Sequence, residues 1–331
     1  MRTIRFGRTN VHVPAISLGT WGHGGPIVSE GASVGWSGHD DRLAKEALIE
    51  AHRRGITHWD TADAYGAGHA EKLIGEVFDQ VPRRDIFLAS KFGWVKGPSG
   101  HYYNPKFMRS QCEASLRNMR TDVIDLYYFH HCMFGDRDEY FDDALATMRA
   151  RRDEGKIRFI GLSDWVATRI MRFIARVDPD AVQPYRNLVD DAYESSGLKQ
   201  WVDSHDLGVA FFSPLKHGLL LGKYDAPHQF PKGDFRSGIP EFMDAAFIER
   251  MKHARDEVTK KFAKHPEPVL HAVLGALREG NPTATVLLGQ RNPKQVDAAA
   301  AAGGEAISAA DGAWVRRVYR GECGGPPSSA P

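Results

Sequence analysis

Four side chains of the sequence are of the types that together deliver a proton to an oxygen. They are Asp60 and Tyr65, within Asp60-Thr61-Ala62-Asp63-Ala64-Tyr65-Gly66, then Lys91, then His130. Each follows a short apolar run, so each can stand where an extended segment ends. A phenol has a pKa of about 10 and donates poorly at neutral pH, but a neighbouring ammonium stabilises the phenolate and brings that value down. Lys91 can do this for Tyr65. The ammonium needs a counter-charge of its own, which Asp60 supplies, and a neutral His130 donates one N–H to a carbonyl oxygen and orients it. Such a set protonates an oxyanion as charge develops there. No nucleophile accompanies it, and no pair of histidines stands at metal-ligand spacing with a carboxylate. A metal is therefore not expected, and the electrons must come from a cofactor.

The elements that must position these groups alternate in type. Short β-branched or aromatic runs predict strands at Ala15 to Leu18, Thr57 to Trp59, Ile86 to Ser90, Val123 to Phe129, Ile157 to Leu162, Ala181 to Gln183, Val209 to Phe212 and Thr285 to Leu288. Between them, Leu43/Ala44/Ala47/Leu48/Ala51 and Met108/Cys112/Ser115/Met119 show the stripe of helices that cover a sheet. Strands alternating with helices in this number predict an α/β fold, a (β/α)8 TIM barrel, with residues 1–321 as one unit. A doubly wound sheet is the alternative, but no strand is followed by a G-x-G-x-x-G turn, and Gly22-His23-Gly24-Gly25-Pro26 puts proline where a helix should begin. The alternation around Gly7-Arg8-Thr9-Asn10 predicts an N-terminal β-hairpin, 241–263 and 308–320 read as two extra helices, and 322–331 as a flexible tail. Long irregular stretches at 22–39, 92–105 and 213–240 each follow a strand, which in a barrel places them at the catalytic mouth.

Composition narrows the class of partner. The 331 residues carry 43 Lys+Arg against 42 Asp+Glu, a net charge of +1, so no global field draws in nucleic acid or an anionic membrane. A small molecule is the expected partner, and a monomer the expected state. Cys112, Cys132 and Cys323 are too few and scattered for a disulfide framework or a cysteine zinc site, which fits a reducing cytoplasm. The start, Met1-Arg2-Thr3-Ile4-Arg5-Phe6, lacks the apolar core of a signal peptide, and no apolar run approaches the ~18 residues of a membrane span.

Several motifs in order give the chain a recognisable likeness. They are Leu18-Gly19-Thr20-Trp21, Asp60-Thr61-Ala62 with Tyr65-Gly66, Ser90-Lys91, Asp125-Leu126-Tyr127 leading to His130, Gly155-Lys156-Ile157-Arg158 with Gly161-Leu162-Ser163, Ser213-Pro214-Leu215 with Gly218-Leu219-Leu220 and Gly222-Lys223-Tyr224, and Gly289-Gln290-Arg291-Asn292-Pro293 with Gln295. Across nearly its whole length the chain resembles the aldo-keto reductase superfamily, most of all the bacterial branch that includes the general stress and inositol-utilisation reductases. The resemblance implies that Asp60, Tyr65, Lys91 and His130 form the catalytic tetrad and that a nicotinamide dinucleotide lies extended across the mouth. It implies a cofactor cradle of Gly19, Thr20, Trp21, Asp60, Ser163, Asp164, Gln183, Phe212, Ser213, Leu215, Gly218, Leu219, Lys223, Gly289, Arg291 and Gln295. In this cradle Ser163, Asp164 and Gln183 hold the carboxamide and Phe212 stacks on the ring. Three departures stand out: Asp164 replaces the usual Asn and cannot donate while ionised, Phe212 replaces Tyr but keeps its π-face, and Ala298 and Ala299 replace the Glu-Asn pair that grips adenine. Arg291 is the expected partner of a 2′-phosphate, so NADP(H) is the expected cofactor with NAD(H) as second choice.

The implied reaction is hydride transfer to the carbonyl of an aldehyde or ketone, or its reverse. Trp21, Trp36 and Trp94 are expected to wall the substrate beside Tyr65 and His130. Each residue also has a plainer reading. Tyr65 can be a turn residue, Lys91 with Asp60 an ion pair plugging the barrel, the tryptophans core aromatics, Cys132 a small buried residue and Arg149-Ala150-Arg151-Arg152 a solvated helix face. His131 should point away from the pocket, since strand alternation lets only one of two adjacent histidines face it. The rival from another class is a redox-sensing regulatory module resembling the potassium-channel β subunits.

Overall fold

Eight parallel strands close on one another in chain order in a computed structural model that describes residues 1–322 apart from Glu30 and Ser99. They are β1 (Ile16–Gly19), β2 (His58–Asp60), β3 (Phe87–Phe92), β4 (Ile124–Phe129), β5 (Ile157–Asp164), β6 (Ala181–Pro184), β7 (Gly208–Phe211) and β8 (Ala284–Gly289). β8 pairs back onto β1, Leu288 opposite Leu18 and Gly289 opposite Gly19, which completes a (β/α)8 barrel. All eight coincide with the strands expected from sequence, within a residue or two at their ends. The expected extra helices are Ala245–Lys261 and Ala309–Arg320. Of the tail expected over 322–331, all but Glu322, Cys323 included, lies outside the described residues.

Period-two alternation sorts each strand into a lumen set and an outward set. In β3, Phe87 and Ala89 fill the lower lumen and Leu88 and Phe92 join the layer under the helices, so Lys91 continues the lumen row. In β4, Leu126 and Tyr128 face in while Tyr127 and Phe129 face out, which brings His130 inward and turns His131 away. By the same parity Asp60 follows His58 inward past the outward Trp59. One glycine makes this packing possible: Gly161 lies opposite Tyr128 in register, and a Cβ there would come within 2.2 Å of the Tyr128 ring.

The N-terminal hairpin, Thr3–Arg5 paired with His12–Pro14, closes the bottom. Phe6 is fully buried there, its ring edge-on to Phe87 and His58 at 5.9 and 5.7 Å. Arg5 grips Asp206 with two parallel hydrogen bonds of 2.6 and 2.7 Å. The cavity lies at the other end, at the C-terminal ends of the strands. Two segments cross this opening. The 22–39 loop carries a small hairpin, Val28–Ser29 with Ala32–Ser33, that sequence periodicity did not indicate. Its Gly35 forms a parallel bridge with Asp234 of the 213–240 segment.

Candidate active site

The lumen rows deliver Asp60, Lys91 and His130 to one level at the open end, and the turn after β2 brings Tyr65 over them. Lys91 is buried, and its Nζ donates to Asp60 Oδ1 at 2.5 Å, to the Thr61 carbonyl at 2.7 Å and to the Tyr65 hydroxyl at 3.3 Å. The other Asp60 oxygen accepts from Gln183 Nε2 at 2.8 Å. The His130 ring stands edge-on to Tyr65 with centroids 5.8 Å apart.

Electrostatics follows from this geometry. Burial alone would strip the Lys91 proton, but Asp60 and Tyr65 more than offset it and its pKa rises, so the ammonium persists. For Asp60, burial pushes the carboxyl up while Lys91 and Gln183 pull it back. For Tyr65, burial outweighs the pull of Lys91 and the phenol lies above its ordinary value. The net direction is thus opposite to the lowering expected from Lys91 alone: the proton stays loaded on the phenol, and Lys91 stabilises the phenolate that donation leaves. Burial, then Lys91, then His131 hold His130 well below the usual imidazole range, so it is neutral.

A single cavity runs from this cluster along the mouth. The expected cradle residues Gly19, Trp21, Asp60, Ser163, Gln183, Phe212, Ser213, Leu215, Gly218, Lys223, Gly289, Arg291 and Gln295 line it, as do Trp36, Tyr65, Trp94 and His130. Thr20 and Leu219 are buried behind the wall; the Thr20 hydroxyl donates to the Asp60 carbonyl at 3.0 Å. Asp164 departs from its expected role. It has the outward parity of β5, opposite to Ser163, and its two oxygens accept the Cys132 and Val166 N–H groups, each at 2.8 Å. It anchors loops and is not on the cavity wall. Cys132 is buried and has no disulfide partner.

Among the wall residues not anticipated, three carry aromatic rings. Trp165 follows the end of β5 just as Trp21 and Trp94 follow β1 and β3, and the same rule would have found it. His217 and Phe235 lie in the aperiodic 213–240 segment, where no sequence signal marks them. That segment holds Ser213, Lys216 and His217 at φ of 57°, 44° and 58°, left-handed conformations that side chains rarely adopt. Lys223, Arg236 and Arg291 share the cavity wall, and burial, then the charge of Arg236, lowers the pKa of Lys223 and of Arg291. Asp234 partly neutralises Arg236. Three cations around one opening, with a single carboxylate among them, suit an anion. Among the described residues no group of histidine, cysteine and carboxylate side chains could hold a metal, and no helix is long and apolar enough to cross a membrane.

The model of the Aldo/keto reductase family matches residues 15–320. Aldo-keto reductase yakc [NADP(+)] of Schizosaccharomyces pombe is 32% identical over 251 residues, 73% of this chain and 70% of that protein. NADH-specific methylglyoxal reductase of Escherichia coli is 29% identical over 235 residues, 67% of this chain and 70% of its own length. The glycerol dehydrogenase AKR11B4 from Gluconobacter oxydans superposes with a TM-score of 0.80 at 27% identity, covering 99% of this chain and 98% of that one.

Proposed function

The chain belongs to the aldo/keto reductase family, and from that premise we propose that it reduces the carbonyl of an aldehyde or ketone with NADP(H), and less readily with NAD(H), Tyr65 being the proton donor. The observation that carries this reading is the Tyr65 hydroxyl 3.3 Å from a buried ammonium that Asp60 fixes at 2.5 Å. The residues fit a nicotinamide dinucleotide: Ser163 and Gln183 offer polar groups beside Phe212, Gly19 and Gly289 leave the wall open, and the cations Lys223 and Arg291 favour phosphate. The bound cofactor supplies the hydride.

The protein's own part is proton handling and orientation. Neutral His130 donates an N–H to the carbonyl oxygen and fixes its position. As negative charge grows on that oxygen, the Tyr65 hydroxyl gives up its proton to it, and Lys91 stabilises the phenolate left behind. Asp60, tied to Gln183, holds Lys91 so that its charge is directed at Tyr65. Arg291 is the residue proposed to favour NADPH, its backbone N–H held by Gln295 Oε1 at 2.8 Å and its side chain by the Ser37 carbonyl at 2.9 Å. The free cysteines fit a cytoplasmic setting.

The test is Tyr65→Phe, which keeps the ring and removes the proton. Carbonyl turnover should fall by ~10²–10⁴-fold while NADPH affinity stays near wild type. Turnover at the wild-type rate would remove Tyr65 from the mechanism. Wild-type NADPH oxidation on simple carbonyls separates an enzyme from a cofactor-sensing module, and kcat/KM with NADPH and NADH tests the cofactor order.

A further inference from the structure

Between positions 213 and 218 the backbone is left-handed four times, at Ser213, Lys216, His217 and Gly218, and only the last is glycine. A residue with a side chain keeps such a conformation only where its surroundings over-determine it. At Lys216 those surroundings are ionic. Ser213, Pro214, Leu215, His217 and Gly218 line the cavity, whereas Lys216 is not on its wall. Its Nζ lies 2.9 Å from Glu241 Oε1, in a pair whose side chains are only 15% and 30% exposed and so are shielded from water. The Tyr185 hydroxyl accepts a hydrogen bond from the same ammonium.

Both partners are themselves held in place. Glu241 belongs to a single 3-10 turn, Pro240–Phe242, in which Phe242 is buried with its ring 4.8 Å from Phe230 and 5.3 Å from Tyr224. Tyr185 follows β6, forms a parallel bridge with Phe212, and sets its ring 5.1 Å from Trp165 and 5.6 Å from Phe212. Burial opposes both charges of the ion pair, but the pairing outweighs it: the Lys216 pKa is raised and that of Glu241 lowered, so both stay charged through neutral pH.

On the reading that this cavity holds NADP(H), we propose that Lys216 is a positioning residue for the cofactor: held from behind by Glu241 and Tyr185, it fixes the 213–218 segment in the left-handed form that completes the cavity wall. The other role open to a lysine beside this cavity is direct contact with phosphate. A shielded carboxylate neutralises the charge and Tyr185 takes a second donor, so the side chain is committed to the rear of the segment. The contact joins the chain after β6, the chain after β7 and the turn at 240–242. Breaking it lets the segment relax toward negative φ, which displaces Ser213, Leu215 and Gly218 together. The tetrad stands on or just after β2, β3 and β4, so the effect falls on cofactor binding and leaves proton transfer alone.

NADPH fluorescence titration of the full chain, with steady-state kinetics on simple aldehydes, provides the test. Lys216→Met and Glu241→Gln should each raise Kd and KM for NADPH about ten-fold while kcat changes less than about two-fold, and the double variant should be no weaker than either single one. Lys216→Arg keeps the charge and should recover most of the affinity. Lys216→Gly separates the ion pair from the backbone, because glycine removes the strain together with the charge. It should bind NADPH as weakly as Lys216→Met does. Wild-type affinity in a folded Lys216→Gly or Lys216→Met overturns the inference. So does tighter NADPH binding by Glu241→Gln, the result expected if the released ammonium reached phosphate instead. Wild-type protein that binds NADPH but turns over no simple carbonyl removes the reductase reading, and the Kd series then still supports the role of Lys216. Wild-type protein that binds neither NADPH nor NADH overturns both.

Discussion

Asp164 ends β5 on its outward face, where its carboxylate accepts two backbone N–H groups and ties the Cys132 segment to the turn at Val166. An asparagine presents one acceptor oxygen in place of two, so Asp164→Asn should destabilise the fold by about 1–3 kcal/mol without tightening NADPH, measured by urea unfolding and fluorescence titration. Tighter cofactor binding in that variant would return Asp164 to the carboxamide site. Tyr65 carries a second residue-scale prediction. Its pKa is raised, so the acid form needed for reduction persists through neutral pH and is lost as pH rises through the elevated value. Reduction should therefore be flat through neutrality and decline on the alkaline side, oxidation should gain there, and His130, neutral throughout, adds no limb near pH 6–7. A reduction profile falling below neutrality would contradict this. The grouping of Asp60, Lys91 and His130 at one level was legible because strand parity puts all three on the lumen row. The same parity, applied at Ser163 and Asp164, separates a lumen residue from an outward one.

At the scale of elements, the eight strands were legible from β-branched runs, while the contact between the two mouth segments was not. Backbone hydrogen bonds join the two segments at Gly35, Gly233 and Phe235, and one side chain adds a cluster of its own. Asp234 is fully buried and accepts from the Ser37 N–H at 2.9 Å and hydroxyl at 2.6 Å, and from Arg236 N–H, Nε and Nη2 at 3.0, 2.9 and 2.6 Å. Arg236 is itself sandwiched between Trp36 and Phe230, 4.4 and 4.0 Å from their ring centres. These partners lie nearly 200 positions apart on aperiodic segments, so composition and period carry no trace of the pairing. Asp234→Ala leaves a buried guanidinium unpaired and should cost about 3–5 kcal/mol, with faster amide exchange in 22–39 and a higher KM for the cofactor. Burial would raise the Asp234 carboxyl, but Arg236 and Ser37 hold it well below the usual carboxylate range. A depressed pKa gives stability that is present above the unfolded value and lost only as pH falls through the folded one, so the clasp should survive mild acid.

Over the whole molecule, chemistry and stability sit at opposite ends of the barrel. Phe6 seals the lower lumen far from Tyr65, and Phe6→Ala should cost about 3–5 kcal/mol in unfolding experiments while the folded fraction keeps its kcat. A variant that stays stable but loses turnover would mean the two ends are coupled. The cluster at Tyr65 and the cavity wall both come from one chain, so we expect full activity from a species that elutes as a monomer of 36.8 kDa. The closing seam of the barrel has a further consequence, in the time domain. Ser17 of β1 meets Thr285 of β8 through hydroxyls 2.6 Å apart, although 268 positions separate them in sequence. Trp21 follows one side of that seam and Arg291 the other, so the cavity does not exist as a cavity until the last strand has docked. Barrel closure of such long range is entropically late and slow. Cofactor binding should accordingly be among the last properties regained on refolding, lagging the return of helical signal, and any chain interrupted before β8 would carry all four tetrad residues and still have no mouth in which to use them.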